Sequence, residues 1–425
     1  MNQKNIDIVV FGATGFTGKF IVEEIARTHS ALPRPFSWAI AGRSSERLAA
    51  VIDKLPPGVP TPEILIADVN NPESLNAMCS RARLCISAVG PYKLYGEPVV
   101  KACVENDCNY VDVTGETYFI ELMYAKYFTA AKEKGVTLVN ACGFDSIPSD
   151  MGVVFAKKTM ESIGGKATQI EMYFRAKGGP HGIAANYATY ESAIHSFSGL
   201  NELGKLRKQI KLPKVPTVGP RLTFHKSPRY DARVGTYTIP FMFADPSVVR
   251  HSQRLDLLNI EDNGNDQTHE PPAQFSAYVV VPTFYYFALL LLYGVLFTFL
   301  VKFDYGRKLL LKHPRLFTHG VFSREGPTQK QLEDTSFTSR FYVKGFSKDP
   351  NHLDRSVTVE VRGPEMGYIT TPKCVVQAAY VVLTEKDKVP NGVLTPAAAF
   401  AKTSLIERLQ QHGLTFEIVE DTKSF

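Results

Sequence analysis

Six apolar residues, Ile6 to Phe11, run straight into Gly12-Ala13-Thr14-Gly15-Phe16-Thr17-Gly18, and a stretch carrying Ile21 and Ile25 at helical spacing follows. Little else in the chain restricts its folding so strongly. A strand that turns on glycine into a helix uses the first glycine for the tight turn, the second for close backbone approach to a pyrophosphate, and the third to seat the helix against the strand. Backbone N–H groups and the positive end of the helix then hold phosphates. The competing reading is the same turn with no ligand. The continuation of the pattern favours the first, because further strand-like runs at 36–41, 63–67, 84–89, 110–113 and 136–140 alternate with amphipathic segments. Such alternation predicts an α/β, Rossmann-type doubly wound parallel sheet.

The end of the second strand reads Ala41-Gly42-Arg43-Ser44-Ser45. An NAD site usually presents a carboxylate there to the ribose 2′-OH, whereas Arg43 and Ser44 suit a 2′-phosphate, so NADP(H) is the expected cofactor. The alternative is a solvated arginine beside a serine helix cap. Asp68, closing the third strand, either meets the adenine edge or caps the helix after Pro72. Ser87-Ala88-Val89-Gly90-Pro91-Tyr92 ends the fourth strand, where small residues let a nicotinamide ring lie close. Gly90 and Pro91 thus join Gly12, Thr14, Gly15, Phe16, Thr17, Gly18, Arg43, Ser44 and Asp68 as candidate cofactor contacts. Tyr92 either orients a substrate or packs in the interior.

At 425 residues the chain is too long for one core. We place a dinucleotide-binding domain at 1–147, a second, α+β domain for substrate or oligomerisation at 148–390, and a C-terminal helix at 391–425 that returns to the first. That helix is read as one piece, from Thr395 and Pro396 through the stripe Ala398, Ala401, Leu405 and Leu409 to Gly413. Within the second domain, 205–233 holds nine Lys or Arg against Asp231 and reads as a basic loop, and 259–272 reads as an acidic linker. The overall charge of +6 is too mild for a nucleic-acid coat, so no nucleic-acid partner is expected. Six cysteines without a Cys-x-x-Cys pair argue against a metal site or a disulfide framework, and fit reduced thiols on the cytosolic side. The first strand is too short for a targeting peptide, so none is expected.

Taken together, GATGFTG, AGR, SAVGPY, YVDVTGE (110–116), ACGFDSIPSD (141–150) and GYITTP (367–372) resemble the saccharopine dehydrogenase-like oxidoreductases of animals over nearly the whole chain. More distantly they are similar to saccharopine reductases and to trans-acting enoyl reductases. The resemblance implies a nicotinamide-dependent oxidoreductase. It does not imply saccharopine chemistry, because the amino-acid-binding arginines of a true saccharopine enzyme have no match here.

The particular block GFDSIPSD places Asp145, Ser146, Ser149 and Asp150 after the sixth strand, with Asp112 and Glu116 closing the fifth. These residues either gather at the sheet edge where a substrate enters or start a helix, with Pro148 in its first turn and Asp150 favourable to the dipole. His181, in a glycine-rich loop, suits a proton donor or is simply solvated. The candidate catalytic residues are therefore Tyr92, Asp145 and His181.

Residues 275–301 carry no charge. A single membrane crossing would separate 302–425 from the dinucleotide domain, so a hairpin broken near Pro282 or Gly294, or helices lying in the interface, is the expected form. Tyr278, Tyr285, Tyr286 and Tyr293 suit that interface, and Lys302, Arg307, Lys308, Lys312 and Arg315 suit anionic lipid. A buried helical pair or a homo-oligomer interface is the other reading. Three functions follow. The first is an NADP(H)-dependent oxidoreductase of an apolar substrate on the cytosolic face of a membrane or lipid droplet, the second a catalytically silent NADP(H)-binding scaffold or sensor there, and the third a soluble saccharopine-like imine or amino-acid dehydrogenase.

Overall fold

The computed structural model describes residues 4–29, 36–210, 212–263 and 270–420. The chain forms two compact units. The first comprises 1–145, 191–210 and 367–412, and the second 146–190, 211–366 and 413–425.

In the first unit the alternation expected from the sequence is present as β1 (Ile6–Phe11), α1 (Phe16–Thr28), β2 (Trp38–Gly42), α2 (Ser45–Ile52), β3 (Glu63–Ile66), α3 (Pro72–Arg81), β4 (Ala82–Ser87), α4 (Tyr92–Glu105), β5 (Asn109–Asp112), α5 (Thr117–Lys134) and β6 (Thr137–Val139). The strands pair in parallel in the order β6-β5-β4-β1-β2-β3, and Gly392–Leu394 adds a seventh strand beside β6. Strand order reverses between β1 and β4, which is where an open α/β sheet offers its crevice. β1 is buried on both faces, as a central parallel strand must be. Helix Thr371–Thr384 is apolar nearly all round and packs against α1, β4 and β5.

The second unit is a seven-stranded mixed sheet in the order Thr415–Val419, Arg355–Pro364, Ser336–Phe346, Lys166–Lys177, Gln274–Val281, Thr236–Pro240, Arg229–Asp231. Its helix Ile147–Ser162 lies so close to the sheet that a Cβ on Gly152 would overlap the Phe341 ring.

Several expectations need correction. The stretch 205–233 is not a loop throughout, because Leu200–Ile210 is a helix of the first unit whose Arg207 grips the buried Glu121 carboxylate of α5. Lys211 lies outside the described residues. The linker expected at 259–272 begins instead inside the helix Asp245–Asn263, and 264–269 lie outside the described residues. The C-terminal helix is two helices, Pro396–Phe400 and Leu405–Gln411, because the chain turns at 401–404. Past Gly413 the chain leaves the first unit to complete the sheet of the second. The 148–390 block also loses 191–210 and 367–390 to the first unit, where buried apolar faces of those helices are accommodated.

The apolar run at 275–301 divides at Pro282. Its first part belongs to the core strand Gln274–Val281, where Tyr278 is buried, packs at a tilt against the Tyr173 ring and accepts a hydrogen bond from the His225 N–H. Tyr278 is therefore not interfacial. The second part is helix Phe284–Leu300, capped by the Thr283 hydroxyl. Phe287 stacks on Tyr237 at 4.5 Å and Phe297 is buried, which fixes one edge of the helix. Phe284, Tyr285, Tyr286, Leu292, Val295 and Phe299 are each more than half exposed, so among the described residues this helix is not one of a buried pair. No helix among the described residues is long and apolar enough to cross a membrane.

Candidate functional site

Each glycine of the turn after β1 has a distinct physical demand. Gly12 sits at φ +88°, and a Cβ there would stand 2.8 Å from the Val89 side chain. The end of β4 thus presses directly on the turn. Gly18 is buried, and a Cβ there would overlap the Gly12 carbonyl oxygen. Gly15 differs: it has φ −70°, is exposed, and a Cβ would meet only the Gly12 oxygen, at 3.1 Å. As N-cap of α1 it offers no side chain to the first-turn N–H groups, and the first turn holds no acid. The helix terminus is left with donors and partial positive charge facing an open side, which fits a dinucleotide pyrophosphate. Phe16 is held edge-on to Tyr368, centroids 4.8 Å apart, while Thr14 and Thr17 are half-buried on the same turn.

Arg43 lies just past β2, exposed, with no ion pair or hydrogen bond of its side chain among the described residues. Beside it Ser44 caps α2, accepting from the Arg47 N–H at 3.3 Å. Asp68 does not cap α3, since Asn71 does. The Asp68 carboxylate instead accepts from the Asn70 N–H at 2.9 Å, closing the turn at the end of β3.

At the end of β4, Gly90 is exposed and Pro91 buried. Tyr92 is interior: its hydroxyl donates to the Ser87 carbonyl at 2.8 Å and accepts from the Val113 N–H, and burial pushes its pKa well above the usual phenol value. It packs against Phe119 rather than facing a substrate. Glu116 is likewise inward. Its two carboxylate oxygens accept from the Tyr92 and Lys93 N–H groups at 2.8 Å, supplying the cap that Pro91 cannot give α4. Asp112 is fully buried and accepts from the Tyr110 hydroxyl, the Asn140 amide and the Thr114 and Ala141 N–H groups. Burial still pushes it up to about 6. Both carboxylates shape the loops and do not line an entrance. Ser149 and Asp150 are buried in the second unit, bonded to Asp245 and Ser252, and Ser146 occupies the N-cap position of helix Ile147–Ser162.

Asp145 is placed otherwise. It is half-buried beyond β6, against Gly115, where a Cβ would fall 2.7 Å from the Asp145 carboxylate. Desolvation pushes it up to about 6. The loop carrying it is fixed by Ala141 at φ +60°, a strained value for a residue with a side chain, and by the Phe144 N–H donating to the Thr371 hydroxyl at 3.0 Å. Parallel pairing puts the ends of β1, β4, β5 and β6 on one edge, so the glycine turn, Gly90-Pro91 and the Gly115–Asp145 pair share it. His181 is exposed in a turn of the second unit, its carbonyl accepting from Gln331.

Sequence reasoning missed Tyr368 and Thr371, which come from far downstream, Thr371 lying 227 residues beyond Phe144; the GYITTP motif was visible, but its contact with the β1 turn was not. It also missed that Cys79, Cys103 and Cys108 gather, all buried, with sulfurs within 4.8 Å of one another. They belong to the core between α3, α4 and the sheet.

Residues 8–139, which hold this cofactor edge, match the saccharopine dehydrogenase NADP binding domain. Over its full length the chain is 41% identical to the saccharopine dehydrogenase-like oxidoreductase of Mus musculus, covering 99% of each. The chain belongs to the saccharopine dehydrogenase-like oxidoreductases. It is an NADP(H)-binding oxidoreductase, and the open helix terminus at Gly15 accords with that cofactor. A relative from Caenorhabditis elegans, named lipid droplet localized protein, is 34% identical over 97% of this chain and 98% of its own. The fold is that of saccharopine dehydrogenase from Saccharomyces cerevisiae, with TM-score 0.57, 13% identity and coverage of 98% and 100% of the two chains.

Proposed function

We propose that this oxidoreductase acts on an apolar, lipid-class substrate at the surface of a membrane or lipid droplet, docking from the cytosolic side through helix Phe284–Leu300. One observation carries the reading: six large apolar side chains of that helix are more than half exposed. Burying each is worth ~1.5–3 kcal/mol, far more than a solvated surface helix would forgo. Exposed Lys302, Lys308 and Lys312 follow at once, where they would meet anionic headgroups. The name of the nematode relative agrees with this surface. Within the site, the glycine turn would hold the pyrophosphate, Arg43 the 2′-phosphate, and the Gly90-Pro91 loop the nicotinamide end. The cofactor supplies the hydride; Asp145 would hold or release the accompanying proton.

Flotation with phosphatidylcholine/phosphatidylserine liposomes and with triacylglycerol droplets tests the docking. Co-flotation is expected; a protein that stays at the bottom as a larger homo-oligomer would assign the apolar face to self-association. Calorimetry with NADPH and NADH tests Arg43, whose replacement by Ala should remove most of the preference for NADPH. A second reading, a silent NADP(H) sensor at the same surface, draws on the interior placement of Tyr92, which leaves that phenol in the core. Absence of turnover over lipid aldehydes, enones and ketones, with NADPH bound, would favour it.

A further inference from the structure

Three of the six cysteines converge beneath the ends of α3 and α4, at the end of the first unit's sheet opposite the cofactor edge. Cys79 lies in the last turn of α3, Cys103 in the last turn of α4, and Cys108 in the turn that enters β5. All three are buried, their sulfurs lie within 4.8 Å of one another, and those of Cys79 and Cys103 approach to 3.7 Å. Cys85 of β4 touches Cys103 as a further thiol. Packing explains part of this arrangement. Asp107 takes φ +53°, its N–H donates to the Val104 carbonyl at 3.5 Å, and the Cys108 N–H donates to the Cys103 carbonyl at 2.9 Å. These are the paired bonds of a helix that ends on a left-handed residue, a turn that commonly sets one apolar side chain against another. Here it sets Cys108 against Cys103. It does not bring in Cys79, which arrives from α3, a helix tied to the end of α4 by the Asn106 amide donating to the Asn76 carbonyl oxygen at 2.8 Å.

We propose that Cys79, Cys103 and Cys108 form a binding site for a soft, thiolate-seeking cation of the zinc(II) or copper(I) class, which locks α3 and α4 onto the sheet. Sulfurs held at ~2.3 Å from one ion stand ~3.8–4.0 Å from each other, so the trio closes on an ion by moving no more than about 1 Å. An all-sulfur donor set selects soft ions and rejects magnesium and calcium, which require oxygen. Lys4 supplies positive charge at the same place. Its ammonium donates to the Ala82 carbonyl and to the Asp107 carbonyl, the peptide group next to Cys108, both at 2.8 Å. A cation there offsets the negative charge that thiolates bring into an apolar core. The Cys108 thiol donates to the Asn109 carbonyl at 3.4 Å, a long contact that costs little to give up on deprotonation. No Cys-x-x-Cys pair announces such a site along the chain, because its ligands come from the ends of two helices and from a turn. The proposal stands apart from the cofactor's phosphates and from the lipid surface.

The sulfurs are sealed from solvent, so the ion enters as the chain folds, and the test loads it then. The full-length protein is produced in medium supplemented with zinc or with copper, purified with a thiol reductant and a washing chelator, and its metal counted by plasma mass spectrometry. The same is done for Cys79→Ala, Cys103→Ala and Cys108→Ala, singly and together, and for Cys374→Ala, which removes a buried thiol outside the trio. The expected result is about one zinc or copper ion per chain in the parent and in Cys374→Ala, at least about tenfold less in each single variant, and none in the triple variant. NADPH affinity should be the same in all of them, which certifies that each is folded. Stripping the ion with a stronger chelator should lower the Tm of the parent by roughly 5–10 °C and leave that of the triple variant unchanged. A parent that carries no more of either metal than the triple variant overturns the proposal, whether its thiols are then free or joined as a disulfide. X-ray absorption at the metal edge of the parent decides the matter without any variant: a shell of sulfur alone is expected, and nitrogen or oxygen in that shell would place the ion elsewhere and overturn the proposal.

Discussion

Replacing Gly15 and Gly18 separately by alanine should divide binding from folding. At Gly18 the new methyl would overlap the Gly12 carbonyl oxygen and stand 2.9 Å from the Gly12 carbonyl carbon and 3.0 Å from Ala13 Cα. These are backbone atoms, and non-bonded contacts settle near ~3.5 Å, so α1 must withdraw by roughly 1 Å. Overpacking of this kind costs ~1–3 kcal/mol, and with no side chain free to yield the upper end is expected. A loss near ~3 kcal/mol lowers Tm by roughly 6–12 °C in a unit of this size. At Gly15 φ is −70°, which any residue adopts, and the methyl meets a single oxygen at 3.1 Å. A few tenths of an ångström relieve that, so the fold should lose no more than ~1 kcal/mol. The same methyl, however, occupies the approach to the N–H groups of α1. NADPH affinity should fall by ~100-fold, equivalent to ~2.7 kcal/mol. Differential scanning fluorimetry reads the first effect and calorimetry the second. A folded Gly15→Ala protein that keeps its NADPH affinity would falsify the assignment of the pyrophosphate to this turn.

Three further outcomes are expected. Because burial raises Asp145 to about 6, it is an acid below that pH and a carboxylate above it. NADPH-dependent reduction should therefore decline as pH rises through 6, and Asp145→Asn should lose both the rate and the pH slope; a pH profile unchanged in the variant would discharge Asp145 from proton transfer. The stability sign follows the same shift: a folded pKa above the unfolded ~3.9 favours the fold most below pH 4, and the benefit is lost as pH rises through 6. Asp145→Asn should thus be more stable than the parent at pH 8, by up to ~2 kcal/mol, seen as a higher Tm. Glu116→Gln should cost ~1.5–3 kcal/mol and loosen NADPH binding by displacing the Gly90-Pro91 loop; a shift in stability without any change in affinity would confine Glu116 to capping. Finally, Leu292→Lys with Val295→Lys, both on the exposed face of the apolar helix, should abolish flotation with liposomes while leaving Tm and NADPH affinity unchanged. Retained flotation would show that lipid contacts lie elsewhere.

The first unit was legible because its signals are local. The apolar run at 6–11 and most of that at 84–89 are buried strand, and Ser44-Ser45 and Pro72 mark helix starts that need only their own neighbours, although the cap before Pro72 is Asn71 and not Asp68. The glycine turn was readable for the same reason, since the clash at Gly18 is with Gly12, six residues away. What could not be read were groups whose partners are distant in sequence. Glu116 looks like a carboxylate at a strand end, yet it serves as the cap of α4 because Pro91 lacks one, 25 residues upstream. The strand Gly392–Leu394 is three residues long and carries no periodicity; only the exposed edge of β6 makes it a strand.

The apolar run at 275–301 shows how hydropathy and structure part company. The sum of apolar residues over a window is the same whether they line a sheet core or cover a helix. What distinguishes the halves is side-chain shape and punctuation. Tyr278-Val279-Val280-Val281 is β-branched and aromatic, fitting a half-crowded pleat, and Pro282-Thr283 then ends the strand and caps a helix rich in Leu and Phe. The strand buries its residues against Lys166–Lys177 and is spent on the fold. The helix is held chiefly by Phe287 and Phe297, its two rings below one-tenth exposure, and six of its large apolar side chains stay more than half exposed. An apolar surface of that kind left outside the core marks a place where another apolar surface is received. A dinucleotide site and such a surface in one chain make sense together if the substrate itself lives in that phase, which is why the lipid surface and the apolar substrate stand or fall on the same helix.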